Sequence, residues 1–212
     1  MAIKQTPRVA QAARAFVSLA VGLFLTFSQS HGAEVGLLAL GIFGLGFAAL
    51  NGFASVIFQK GLAAIENVPL TMVALLIGIF ALLAPNTVSG AVDQTLTPAA
   101  SDSLAFKFLV TGWAIIAGAF ELYQARRAGF KTLAGRDLLI NACFGLLLAL
   151  LFLLAPLDIV SQVGFFGAYL LMSGVHSAIS AASPAAISAA SPAAISAASP
   201  AAKAPSSKST KA

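Results

Sequence analysis

Leu138-Leu-Ile-Asn-Ala-Cys-Phe-Gly145-Leu-Leu-Leu-Ala-Leu-Leu-Phe-Leu-Leu-Ala155, ending on Pro156, carries no charged side chain. At 1.5 Å per residue such a run makes a helix of roughly 27 Å, close to the ~30 Å of a bilayer's hydrocarbon. It is too long for a buried strand, so a membrane-crossing helix is the reading that fits its length. Comparable apolar windows lie on both sides, at Ala15–Ser28, Val35–Phe58, Pro69–Ala84, Leu104–Tyr123 and Ile159–Ile179. Six such windows predict an all-α, polytopic membrane protein with six transmembrane helices.

Composition agrees. Of 212 residues, 59% are hydrophobic and 9% are charged, with a mean hydropathy of +0.94, whereas soluble domains carry about a quarter of their residues as charges. The net charge of +5 gathers beside apolar spans, at Lys4, Arg8, Arg14, Lys60, Arg126, Arg127, Lys131 and Arg136, and in the tail at Lys203, Lys208 and Lys211. That is a topology signal, not a nucleic-acid surface, for no basic helix face with interleaved aromatics accompanies it. The segments Gln29–Glu34, Pro85–Ser103 and Pro156–Asp158 hold no Lys or Arg. The positive-inside rule therefore predicts both termini in the cytoplasm and those three segments outside. Lys107 is the one cation out of pattern, and its stem is long enough to carry the ammonium to the interface. The basic start, short apolar core and small residues Ser28–Ala33 also suit a cleaved signal peptide, the alternative for the first window.

The spans repeat in pairs. Aligning the odd ones on Gly22, Gly78 and Gly145 places apolar runs on both sides of each glycine, and the second and third finish on Leu-Leu-Ala-Pro at Pro85 and Pro156. The even ones share Gly46 and Gly52, Gly112 and Gly118, Ala168 and Gly174 at equal spacing. The chain reads as three repeated helical hairpins. Small residues let helices approach in lipid, where no hydrophobic force draws them together. Gly44, Ala48 and Gly52 form one such ridge, Asn141, Gly145 and Ala149 another, and Gly112, Gly118 and Gly174 are further packing positions. The prolines are expected at helix ends.

Gly78-Ile-Phe-Ala-Leu-Leu-Ala-Pro85, a loop, then Gly112-Trp-Ala-Ile-Ile-Ala-Gly118 and a basic turn resembles the repeat of HdeD-like small bacterial membrane proteins, over roughly Arg14–Ile179. The resemblance implies a six-helix protein of the bacterial inner membrane associated with acid resistance, and carries no catalytic residues with it. The long outer loop and repetitive tail depart from the usual pattern.

Three regions follow: a cytoplasmic segment 1–14, a six-helix transmembrane domain 15–179 and a tail 180–212. In the tail, Ile-Ser-Ala-Ala-Ser-Pro-Ala-Ala recurs from Ile179, Ile187 and Ile195. A proline every eight residues and the lack of large apolar side chains predict disorder.

Little chemistry is legible. Gly44-Leu-Gly46-Phe-Ala-Ala49 mimics a dinucleotide fingerprint, but inside an apolar helix it serves packing. His31, His176 and the single Cys143 lack metal-ligand spacing, and no nucleophile elbow or phosphate loop appears. A non-enzymatic protein without cofactor or metal is expected. The polar candidates are Glu121, His176, Asn51 and Asn141, joined by Ser55, all placed in the cytoplasmic halves of their spans. Glu121 facing His176 would make a proton-sensitive pair. The bland reading makes Glu121 an interfacial ion beside Arg126 and Arg127. Expected partners are the lipid bilayer, with homo-oligomer and protein partner left open and no nucleic acid. A contribution to acid or envelope stress tolerance leads; a small transporter or channel, or a scaffold docking a partner through Arg126–Arg136 or the tail, are the alternatives.

Overall fold

The computed structural model describes residues 6–58, 62–91 and 98–182. Six helices fill them: α1 (Thr6–Phe27), α2 (Ala33–Phe58), α3 (Leu62–Ala91), α4 (Pro98–Ala128), α5 (Leu133–Leu154) and α6 (Ile159–Ala182). Five contain stretches long and apolar enough to cross a membrane: Ala33–Ala54, Asn67–Pro85, Ala100–Ala128, Leu133–Leu154 and Ile159–Ala182. The apolar part of α1, Gln11–Phe27, is shorter.

Most helices outrun their apolar windows, because hydropathy marks the hydrocarbon depth while the helical backbone continues into the interface. The largest correction concerns Pro85. It lies inside α3 rather than at its end, so the expected outer loop Pro85–Ser103 is helical through Ala91 and again from Pro98. Membrane helices tolerate an internal proline because neighbouring groups satisfy the freed carbonyl. Pro156 does lie beyond the end of its helix, just after the cap residue Ala155. Lys60 and the tail from Ser183 onward lie outside the described residues, as does the side chain of Ser55.

Helix α5 begins at a built turn. Gly129 takes φ +86°, a left-handed value that glycine adopts without strain. Thr132 caps α5 by accepting the Gly135 N–H while its hydroxyl donates to Gly129 O at 2.8 Å. At the other end of the bundle Asp158 caps α6, accepting from the Ser161 hydroxyl at 2.5 Å and the Ser161 N–H at 3.4 Å.

Each helix packs on its chain neighbours, α6 closes on α1, and α2, α4 and α6 also touch one another at the centre. The most extensive contacts join α1 with α6, α2 with α3, and α4 with α5. Thus each hairpin packs hardest against a different hairpin. The glycines aligned in the odd spans all sit at these crossings. A Cβ built on Gly22 would lie 2.9 Å from Leu171, on Gly78 2.8 Å from the Leu45 nitrogen, and on Gly145 3.2 Å from the Ala114 carbonyl. Gly44 is the tightest of the expected packing residues, 2.7 Å from Ala74 O and 2.8 Å from Gly78 Cα by the same construction. Gly118 and Gly174 meet Leu146 and Leu19 at 2.9 and 2.8 Å. Ala48 is buried, and Gly52 makes an ordinary contact with Thr71. Gly112 is a correction: nothing lies within 4 Å of its Cβ position, so it holds no close approach.

The centre is aromatic. Phe43 and Phe47 meet Trp113 edge-on at 5.4 and 5.3 Å, Phe43 meets Phe166 at 6.2 Å, and Phe106 bridges Phe166 and Phe152. Such edge-to-face pairs add to the area they bury. The outside is apolar too, with Phe16 70%, Phe108 69% and Leu154 74% exposed, the pattern of a surface whose solvent is lipid.

Candidate functional site

At the end of the bundle nearer the α4–α5 turn, the aromatic packing gives way to a cavity of about 20 Å³. Arg14, Ser18, Phe47, Trp113, Glu121, Asn141, Tyr169 and Ser177 are among its lining residues. Its size suits one water molecule, which needs at least about 10–15 Å³ by this measure. The Trp113 indole nitrogen is fully buried there.

An ion pair closes the cavity. Arg14 Nη1 donates to Glu121 Oε1 at 2.8 Å, each side chain retaining only 13% of its exposure. The guanidinium also lies 5.0 Å from the Phe47 ring centre, a cation–π distance that helps hold a partly desolvated charge. Glu121 is therefore not the interfacial neighbour of Arg126 and Arg127: its partner comes from α1, across the bundle. Arg14 is not a cation flanking the first span: α1 begins at Thr6 and carries it inward.

Of the four polar candidates, the structure brings Glu121 and Asn141 to one cavity. Asn141 Oδ1 accepts from the Ser173 hydroxyl at 3.4 Å. His176 does not face Glu121 directly. Its Nε2 lies 3.2 Å from Asp137 O, and its ring meets Phe144 edge-on at 6.1 Å. Asn51 lies apart, donating through Nδ2 to the Thr71 hydroxyl at 2.7 Å.

The repeat explains the placement. Counting from Gly46, Gly112 and Ala168, the next residues are Phe47, Trp113 and Tyr169, and all three line the cavity. Nine residues along stand Ser55, Glu121 and Ser177. In the odd helices, four residues before the aligned glycine stand Ser18, Ala74 and Asn141, and eight before it stand Arg14, Leu70 and Asp137. The ion pair thus occupies positions where the other hairpins carry different chemistry. The missed residues, Arg14 and Ser18, share a face with Gly22 at four-residue spacing, a signal that pointed them inward.

No group of three or more His, Cys, Asp or Glu able to hold a metal occurs among the described residues. Five membrane-length apolar helices around a partly polar interior define a polytopic α-helical membrane protein. Comparison with protein-family models, characterised proteins and solved structures gave no match to the chain.

Proposed function

We propose that this is a non-enzymatic multipass protein of HdeD type in the bacterial inner membrane, with both termini cytoplasmic, that contributes to acid or envelope stress tolerance. The observation that carries this reading is the largely buried Arg14–Glu121 pair lining a water-sized cavity. In a low-dielectric setting, protonating the carboxylate leaves the guanidinium without its counter-charge, and breaking one half of such a pair is far costlier than at a surface. Acidification then acts on a contact between α1 and α4 and loosens the bundle at one end. The groups that bear on Glu121 are Arg14 from α1 and His176 and Tyr169 from α6.

Survival of cells in acid, with the wild-type chain or Glu121→Gln as the only copy, tests the reading. The variant is expected to lose the protection; unchanged survival, with the variant present in the membrane at wild-type level, sinks the idea. Reporters fused after Lys131 and Asp158 check the orientation, inside for the first and outside for the second.

A further inference from the structure

The α4–α5 turn carries Arg126, Arg127, Lys131 and Arg136, all exposed. Arg126 and Arg127 occupy the last turn of α4, where cations are favoured by the helix dipole. Lys131 lies in the turn and Arg136 near the start of α5. Hydrogen bonds from Gly129 N to Arg126 O at 3.2 Å and from Thr132 N to Gly129 O at 3.0 Å, with the Thr132 cap, hold the backbone between them in one shape. The cations are therefore presented on a stiff frame.

Depth decides what they meet. One apolar span ends at Ala128 and the next begins at Leu133, so only a four-residue turn separates two helices that each cross the hydrocarbon. The cations sit at headgroup level and do not project on a long loop into water. Around them Tyr123, Phe130 and Leu133 are 56%, 47% and 63% exposed, which gives the patch apolar side chains for the acyl boundary and an aromatic for the interface. At this depth the abundant anion is lipid phosphate, and guanidinium groups bind phosphate through paired N–H donors. Among the described residues the opposite end offers no such patch: its turn Pro156–Asp158 has a carboxylate and no cation.

We propose that the Arg126–Arg136 turn is a binding site for the headgroup phosphate of anionic phospholipid, confined to one leaflet. Clusters of four to eight basic residues beside a membrane helix are of the size that reads anionic lipid, each cation contributing roughly fivefold in affinity.

Native mass spectrometry of the full chain with added phosphatidylglycerol or phosphatidylcholine tests this. Wild-type protein is expected to retain phosphatidylglycerol preferentially. Arg126→Gln/Arg127→Gln and Lys131→Gln/Arg136→Gln should each weaken that retention by about 25-fold, while Lys107→Gln, which removes a charge near the opposite end of α4, leaves it unchanged. The circular-dichroism melt of each double variant, read beside its lipid retention, separates lost lipid from lost fold. Equal retention of the two lipids by the wild type overturns the proposal. So does full retention by either double variant, an equal loss in Lys107→Gln, or capture of an acidic peptide with lipid binding unaltered.

Discussion

The three helix crossings and the cavity corner were built from the same repeat, and they differ in how faithfully they keep it. At the crossings, Gly22, Gly78 and Gly145 do one job three times, admitting a neighbouring helix to within 2.8–3.2 Å of where a Cβ would stand. At the corner, Glu121 replaces the serine of the other two even helices, and Arg14 stands where the odd ones carry Leu70 and Asp137. Repetition frames the bundle, and the departure from it places the charge. A frame needs only close approach, which three equal hairpins supply. A buried charge needs one partner of opposite sign, and here each member of the pair stands at a position where the other two hairpins carry something else.

The corner breaks most easily. Glu121→Ala leaves Arg14 enclosed without its counter-ion and should cost about 3–5 kcal/mol, measured by unfolding in detergent. Replacing both members, Arg14→Met with Glu121→Leu, should return most of that loss, because the buried pair itself contributes little beyond an apolar pair of similar shape. A double variant as unstable as the single one would show that the corner needs charge for its packing and would merge it with the frame.

The crossings come next. Gly44→Ala puts a methyl against the backbone of Ala74 and Gly78 and should cost about 1–3 kcal/mol, since backbone cannot swing aside as a side-chain tip can. Gly112→Ala meets open space, and should be neutral or stabilising by up to about 1 kcal/mol through the better helix propensity of alanine. Equal melting shifts for the two would mean that small residues here serve something other than close approach.

This contrast also marks what could be read without coordinates. Apolar windows located the helices, because hydrocarbon thickness imposes a length that composition records directly; α2 and α6 fall within a few residues of Val35–Phe58 and Ile159–Ile179. Their ends were less legible. Pro85 looked like a stop because proline stops helices in water, whereas α3 continues past it. Aligning glycines found three crossings, since glycine has no side chain and so few reasons to recur. Gly112 kept the spacing without the contact. The corner was half legible: Glu121 and Asn141 stood out as polar groups in apolar runs, but Arg14 lay among other N-terminal cations, whose charge pattern did not mark it as inward. Only the register of Ser18 and Gly22 on the same face carried that information.

Asp158 sharpens the comparison from the far end. It is exposed, and the Ser161 hydroxyl, helped by backbone N–H groups, holds its carboxyl below the usual value of 3.8. A carboxylate whose folded value is depressed adds stability at pH above its unfolded value and loses it as pH falls through the folded one. Ser161→Ala removes the main hydrogen bond, so its thermal midpoint should lie slightly below wild type at pH 6, with the gap closing below about pH 4. Since Asp158 lies at the opposite end from the ion pair, the same closing gap should persist in a Glu121→Gln background. Its loss there would mean the two ends titrate as one unit, and the separation of a repeated frame from a single charged corner would no longer describe how this bundle responds to acid.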